Sequence, residues 1–252
     1  MKQEKYEKRR DEVNMDNQSE ALVSVKKNGN EIRHMSAPGL EVMREAVKRT
    51  PSAIRHIKNP PEEVMLLAVR AGWNSLKHIG NPTYAVQLAA VENKGWAIQY
   101  ITNPDHGLQL AAVTRDFDAV QYIKNPPCDI QLAAVRNYWS ALKYLKEPCF
   151  EARKEAVRAS EQAIAYITDY TEDELKEYLR ANIRIVKYLY DSLDMGFIKE
   201  ILKEAFSGDD VEEDYIRDFM ELQVLDMNKV EFVRAHGSKR TKMKLVDYVL
   251  GR

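Results

Sequence analysis

One tandem repeat governs what this chain can fold into. From Asn81 it reads NPTYAVQLAAVENKGWAIQYIT, then NPDHGLQLAAVTRDFDAVQYIK, then NPPCDIQLAAVRNYWSALKYLK, a period of 22 residues. The period extends backward through units opening at Asn59 and Ala37, with a weaker unit near Met15. It extends forward through a unit opening at Glu147 and, loosely, through residues 169–190. That gives about eight units.

Each unit has a mechanical reading. Asn-Pro breaks the preceding helix, because a residue before proline avoids the α region. A first helix follows, with apolar residues three and four apart. A polar turn comes next, then a second, shorter apolar stretch such as Ala97, Ile98 and Ile101. Down the stack, one column reads Ala46, Ala68, Ala90, Ala112, Ala134, Ala156, and the next reads Val47, Val69, Val91, Val113, Val135, Val157. A small residue lets neighbouring helices approach, and valine fills the seam. No unit can bury both faces alone, so the units stack.

The expected fold is therefore all-α: a right-angled stack of short helix pairs forming an α-solenoid over 15–190. A charged lead-in segment (1–14) precedes it, and an irregular helical C-terminal cap or small subdomain (191–252) closes it. In residues 169–190, Tyr178 and Leu179 take the alanine and valine columns, which marks a capping unit. Thr171 and Glu174 there have capping-box spacing. Ankyrin and tetratricopeptide units are longer, and the leucine-rich signature is missing.

The repeat pattern resembles short tandem helical repeats in uncharacterised proteins of bacteriophages, bacteria and large DNA viruses. Those units share the Ala-Val pair, the polar turn, an apolar-aromatic pair and a proline-led break. The resemblance covers roughly 15–190. It implies a phage or mobile-element origin, and with it a host protein, including a defence component, as partner. It carries no activity onto any residue.

Composition narrows the classes further. Apolar residues make up 44% and charged residues 31% of the 252, which is a folded composition. The net charge of −1 gives no global field toward nucleic acid or membrane. There is no apolar run of membrane-spanning length, and the charged start lacks the apolar stretch of a secretory signal. Cys128 and Cys149, the only cysteines, make no disulfide framework and are expected as free, partly buried thiols in a reduced, cytoplasmic protein. No phosphate loop, nucleophile elbow or metal-protease motif is present, so neither an enzyme nor a cofactor is expected.

A protein–protein interaction scaffold or inhibitor is the first functional expectation. Its expected site is the turn between the two helices of successive units: Trp73, Trp96, Phe117 and Trp139, with Arg70, Arg115 and Arg136 beside them. Tryptophan and arginine dominate binding hot spots; the bland alternative is that each ring plugs the groove between layers. The second expectation is binding of RNA or single-stranded DNA along basic columns. One comprises Lys26, Lys48, Arg70, Arg136, Arg158 and Arg180; the other includes Lys77, Lys143 and Lys187. Against it, cations near helix C-termini offset the helix dipole. The column His34, His56, His78, Tyr100, Tyr122, Tyr144, Tyr166, Tyr188 is expected as half-buried rings with polar tips rather than metal ligands, because each sits in a different layer. Gln87, Gln109 and Gln131 are expected to bond to each other or to neighbouring turns. The acidic run 209–214 is expected as a solvated loop, and the basic stretch 239–244 as a flexible contact arm or solvated tail.

Overall fold

The computed structural model describes residues 18–251. The expected lead-in segment 1–14 lies outside the described residues. Among these residues every regular element is helical, and the fold is an all-α helical-repeat solenoid. The chain divides into two compact units, the first ending at Pro126 and the second beginning at Pro127.

In the first unit, α1 spans 18–27, and α2 (Leu40–Arg49), α3 (Glu62–Ala71), α4 (Tyr84–Asn93) and α5 (His106–Arg115) follow at the repeat period. Neighbours pack side by side: α2 on α3, α3 on α4, α4 on α5. Ala46, Ala68, Ala90, Ala112 and the adjoining valines are fully buried. Burying each such valine contributes about 1.5–3 kcal/mol. The weak first unit is a true repeat, with Val25 and Ile32 in the core.

The second element of each unit is a six-residue 3-10 helix, as in Trp73–His78 and Gly95–Tyr100. This refines the expected pair of short helices, and the spacing explains it. Ile54 and Ile57, Leu76 and Ile79, Ile98 and Ile101 are all buried. Each pair is three apart, which lines up on one face at three residues per turn. Between the two elements a single extended residue makes the corner, such as Lys94 (φ −149°), and its N–H donates to the Ala90 carbonyl at 3.0 Å. Asn59, Asn103 and Asn125 turn the chain back with φ near +50° (46°, 53°, 49°). Asparagine tolerates this left-handed conformation better than most residues.

Gly95 is a point of close backbone approach in the first unit. A Cβ there would lie 2.4 Å from the Ala112 carbonyl oxygen of the next repeat, and Gly29 has the same relation to Ala46 at 2.2 Å. Gly95→Ala is therefore expected to lower stability by about 1–3 kcal/mol, because backbone cannot yield as a side chain does. Gly80→Ala is the control, since nothing lies within 4 Å of its added carbon. Equal urea midpoints for the two variants would refute this close approach.

In the second unit, α6 (Cys128–Asn137), α7 (Phe150–Ala159) and α8 (Glu172–Ala181) continue the repeat. Tyr178 is fully buried in the alanine column, against Phe150 (centroids 5.8 Å) and Tyr170 (6.2 Å). The Thr171–Glu174 capping box has both halves formed. The short α9 (Val186–Leu189) leads to α10 (Met195–Ser207), α11 (Glu213–Glu221), α12 (Lys229–His236) and α13 (Lys239–Val249). These helices close around Phe206, Phe219 and Phe232, with Phe206–Phe219 centroids 5.0 Å apart. They also seat on the last repeat: α10 packs on α8, Tyr215 donates to the Leu179 carbonyl at 3.0 Å, and Arg184 pairs with Asp218 at 3.3 Å.

Two expectations are corrected here. Cys128 and Cys149 are joined in a disulfide, not free thiols. Their separation of 21 residues, one short of the period, sets them side by side where α6 and α7 begin. The same two positions three periods earlier, Glu62 and Thr83, meet through a 2.5 Å hydrogen bond, so stacking alone brings them together. Second, the basic stretch 239–244 is no arm or tail. It is the body of α13, Leu245 beside it is buried, and Lys244 donates to the Val211 carbonyl. Asp209, Asp210, Glu212, Glu213 and Asp214 are all exposed, and the last two sit in the first turn of α11, where the helix dipole favours acids.

Candidate protein-docking face

The four turn aromatics are half-buried. Trp73, Phe117 and Trp139 each open a 3-10 helix, whereas Trp96 sits one residue later because Gly95 holds that place. Each tryptophan turns a face to the tyrosine of the following repeat. Trp73 stacks on Tyr100 (6.0 Å, 20°), Trp96 meets Tyr122 edge-on (6.0 Å, 66°), and Trp139 meets Tyr166 (6.2 Å, 51°). Trp96 is fixed further by its Nε1 donating to Asp118 at 2.7 Å, with Lys94 over the ring at 5.0 Å. The rings thus spend much of their surface on inter-repeat contacts.

The basic residues are exposed, and carboxylates accompany many of them. Lys48 pairs with Glu45 (2.7 Å), Arg136 with Glu155 (3.7 Å), Arg158 with Glu155 (4.0 Å), and Lys187 with Glu161 (2.8 Å). Arg180 bonds Glu177 at 2.7 Å and also Glu204. Lys48, Arg70, Arg115, Arg136, Arg158 and Arg180 all lie in the last turn of their helices. Lys77 and Lys143 lie in the last turn of their 3-10 helices, with Lys143 5.6 Å from the centre of the Tyr144 ring. Lys26 is exposed near the end of α1. Carbonyls at these helix ends are further capped across repeats: Asn93 donates to the Val69 and Arg70 carbonyls (2.8 and 2.9 Å), and Arg115 to the Asn93 carbonyl (3.2 Å).

The polar columns are structural. Gln87 and Gln109 donate to the Pro82 and Pro104 carbonyls of their own turns (3.0 and 2.9 Å), and Gln131 accepts from the Cys149 N–H (2.8 Å). His34 and His56 accept from Arg33 and Arg55 (2.9 and 3.1 Å). Burial first, and neighbouring cations second, push the imidazoles of His56 and His78 below the usual histidine range. The Glu151 carboxylate lies with the two cysteine sulfurs inside 4.8 Å, but those sulfurs are bonded to each other.

A surface outside the expected site stands out in the first unit. A helix that buries one face should be polar on the other. On α2 the outer face follows that rule, with Arg44, Glu45 and Lys48. On α3, α4 and α5 it does not. Leu66, Leu88 and Leu110 recur at one place on successive helices, the first two half-buried and Leu110 41% exposed, beside Ala85, Ala89 and Ala111. Tyr84, 51% exposed, edges this face. Between α4 and α5 lies a shallow groove lined by Glu92, Gly107, Leu110, Ala111, Thr114 and Arg115. The signal was present in the sequence. At that row the chain reads Arg44, Leu66, Leu88, Leu110, and Gln-Leu-Ala-Ala-Val serves as a repeat signature without its outward leucine being separated from the core. In the second unit Met243, Val246 and Val249 are also exposed, but on the single helix α13.

No helix among the described residues is long and apolar enough to cross a membrane. Neither protein-family models, curated proteins nor solved structures yield a match to this chain, so its place among proteins rests on the repeat and on this face.

Proposed function

We propose that this protein is a non-catalytic protein-interaction scaffold or inhibitor that binds its partner on the outer face of α3–α5. The observation that carries this is the apolar row of half-buried Leu66 and Leu88 and exposed Leu110 on helices whose other face is already buried. A contiguous apolar face left open on a folded protein marks an interaction site. The turn aromatics Trp73, Trp96 and Trp139 are the alternative docking residues, and a host protein is the partner class that the repeat resemblance favours.

A nuclease-treated pull-down at two salt concentrations tests this. Wild type is expected to retain a protein partner at both salts. Leu110→Glu is expected to lose it while keeping the helical spectrum and urea midpoint, because the Leu110 side chain is exposed. Loss in Trp73→Ala/Trp96→Ala/Trp139→Ala alone would move the site to the turns. Recovery of nucleic acid that disappears with nuclease and salt would overturn the scaffold in favour of the basic columns.

A further inference from the structure

We propose that Cys128, Cys149 and Glu151 form a metal site at the seam between α6 and α7. With the disulfide reduced, they bind one zinc ion through two thiolate sulfurs and a carboxylate oxygen, leaving the fourth place to water. This goes beyond the docking reading and does not depend on it.

The repeat itself assembles the ligands. At a seam, the first residue of one helix meets the residue before the next helix and the one two further on. Between α3 and α4 these places hold Glu62, Thr83 and Ala85; between α7 and α8 they hold Phe150, Thr171 and Asp173. Only between α6 and α7 do all three carry metal-binding side chains. Their ligand atoms all lie within 4.8 Å of one another, and the Glu151 Oε2 atom is 3.3 Å from Cys128 Sγ. Ligands held by a tetrahedral zinc ion at about 2.0–2.3 Å sit about 3.3–3.8 Å apart, so the carboxylate is already in place. The cysteine Cα atoms are 5.8 Å apart, and rotation of their side chains parts the sulfurs once the bond is open.

The chemistry of the three groups fits the same ion. Glu151 is exposed and pairs with no cation among the described residues, whereas Glu155, Glu174 and Glu177 each pair with one. A disulfide sulfur has no proton to offer it, so its contact with Cys128 is no hydrogen bond. Cys128 opens α6 and Cys149 caps the start of α7, and a helix N-terminus favours the thiolate over the thiol. Gln131 Oε1 accepts from the Cys149 N–H at 2.8 Å, which fixes that cysteine's backbone. Two soft sulfurs disfavour calcium and magnesium, which take oxygen ligands; the carboxylate favours zinc over copper(I).

Reduction must come first. A phosphine achieves it: phosphorus takes the oxygen of a water molecule and is oxidised, the S–S bond breaks, and the water's two protons end on the two sulfurs. A dithiol does the same and leaves as its own disulfide. Zinc then displaces the protons of both thiols.

The test uses the full chain, reduced with a phosphine in the absence of air and titrated with zinc against a chromogenic chelator. Cobalt(II) is the second probe, because sulfur bound to it gives a thiolate-to-metal absorption band. The reduced chain is expected to take up one zinc ion, to show the cobalt band, and to gain in urea midpoint when zinc is added. The oxidised chain and Cys128→Ser/Cys149→Ser are expected to do none of these. Glu151→Gln is expected to weaken zinc binding about tenfold or more while leaving the helical spectrum and disulfide formation unchanged. Uptake by the reduced chain no stronger than by the double serine variant overturns the site, as does equal uptake by the oxidised chain. Unchanged affinity in Glu151→Gln removes the carboxylate as a ligand and overturns the three-ligand site.

Discussion

Phe206→Ala is expected to melt the C-terminal helices while the first unit keeps its structure. Phe206 is fully buried and packs with Phe219, Phe232 and Tyr215. Removing such a ring costs about 3–5 kcal/mol, the lost transfer energy plus the cavity left behind. That is comparable to the whole stability of a small domain. Hydrogen exchange is the direct measurement. Protection is expected to fall across residues 195–249 and to persist in α2–α5. Unchanged protection in α10–α13 would show that the aromatic cluster does not hold them.

The second large effect is reduction of the Cys128–Cys149 disulfide. The bond closes a loop of about 22 residues, and in the chain-entropy picture a loop of that length contributes about 3 kcal/mol. The urea midpoint of the second unit is expected to drop when a dithiol reductant is added. Cys128→Ser/Cys149→Ser should start at the lower value and ignore the reductant. A reductant effect that persists in the double variant, or a wild type indifferent to it, would mean that the cross-link does not stabilise the fold. The sequence argument for a reduced, cytoplasmic protein used the number of cysteines; their register, 21 apart in a 22-residue repeat, is what brings them together.

The fold was legible because a repeat states its packing many times over. Val47 alone could be any apolar residue, but the column down to Val157 leaves one arrangement, and all six valines are buried. The 3-10 form of the second helix was harder to see. It rests on apolar pairs only three apart, such as Ile98 and Ile101, which an α-helix also tolerates as neighbours. The site was less legible for a different reason. Tryptophan draws attention as a hot-spot residue, yet Trp73 and Trp139 pack against tyrosines 27 residues later, a contact that no local window contains. The leucine row had the opposite problem. Leu88 lies between Val86 and Val91, and sequence alone does not say which of three apolar neighbours turns outward. Only the burial of Val86, Ala90 and Val91 leaves Leu88 as the surface residue.

Tyr178 also bears on how such an array can change length. With a bulky ring in the alanine column and α10 seated beside it, the last repeat offers no face for another copy. An extra 22-residue module appended after Tyr190 would have nothing to stack on. A duplication that preserves folding must therefore fall between existing alanine-bearing repeats, where each new unit finds the same neighbour on either side. The same closed end offers no docking template to a repeat of another molecule, so head-to-tail growth is blocked there by shape rather than by charge.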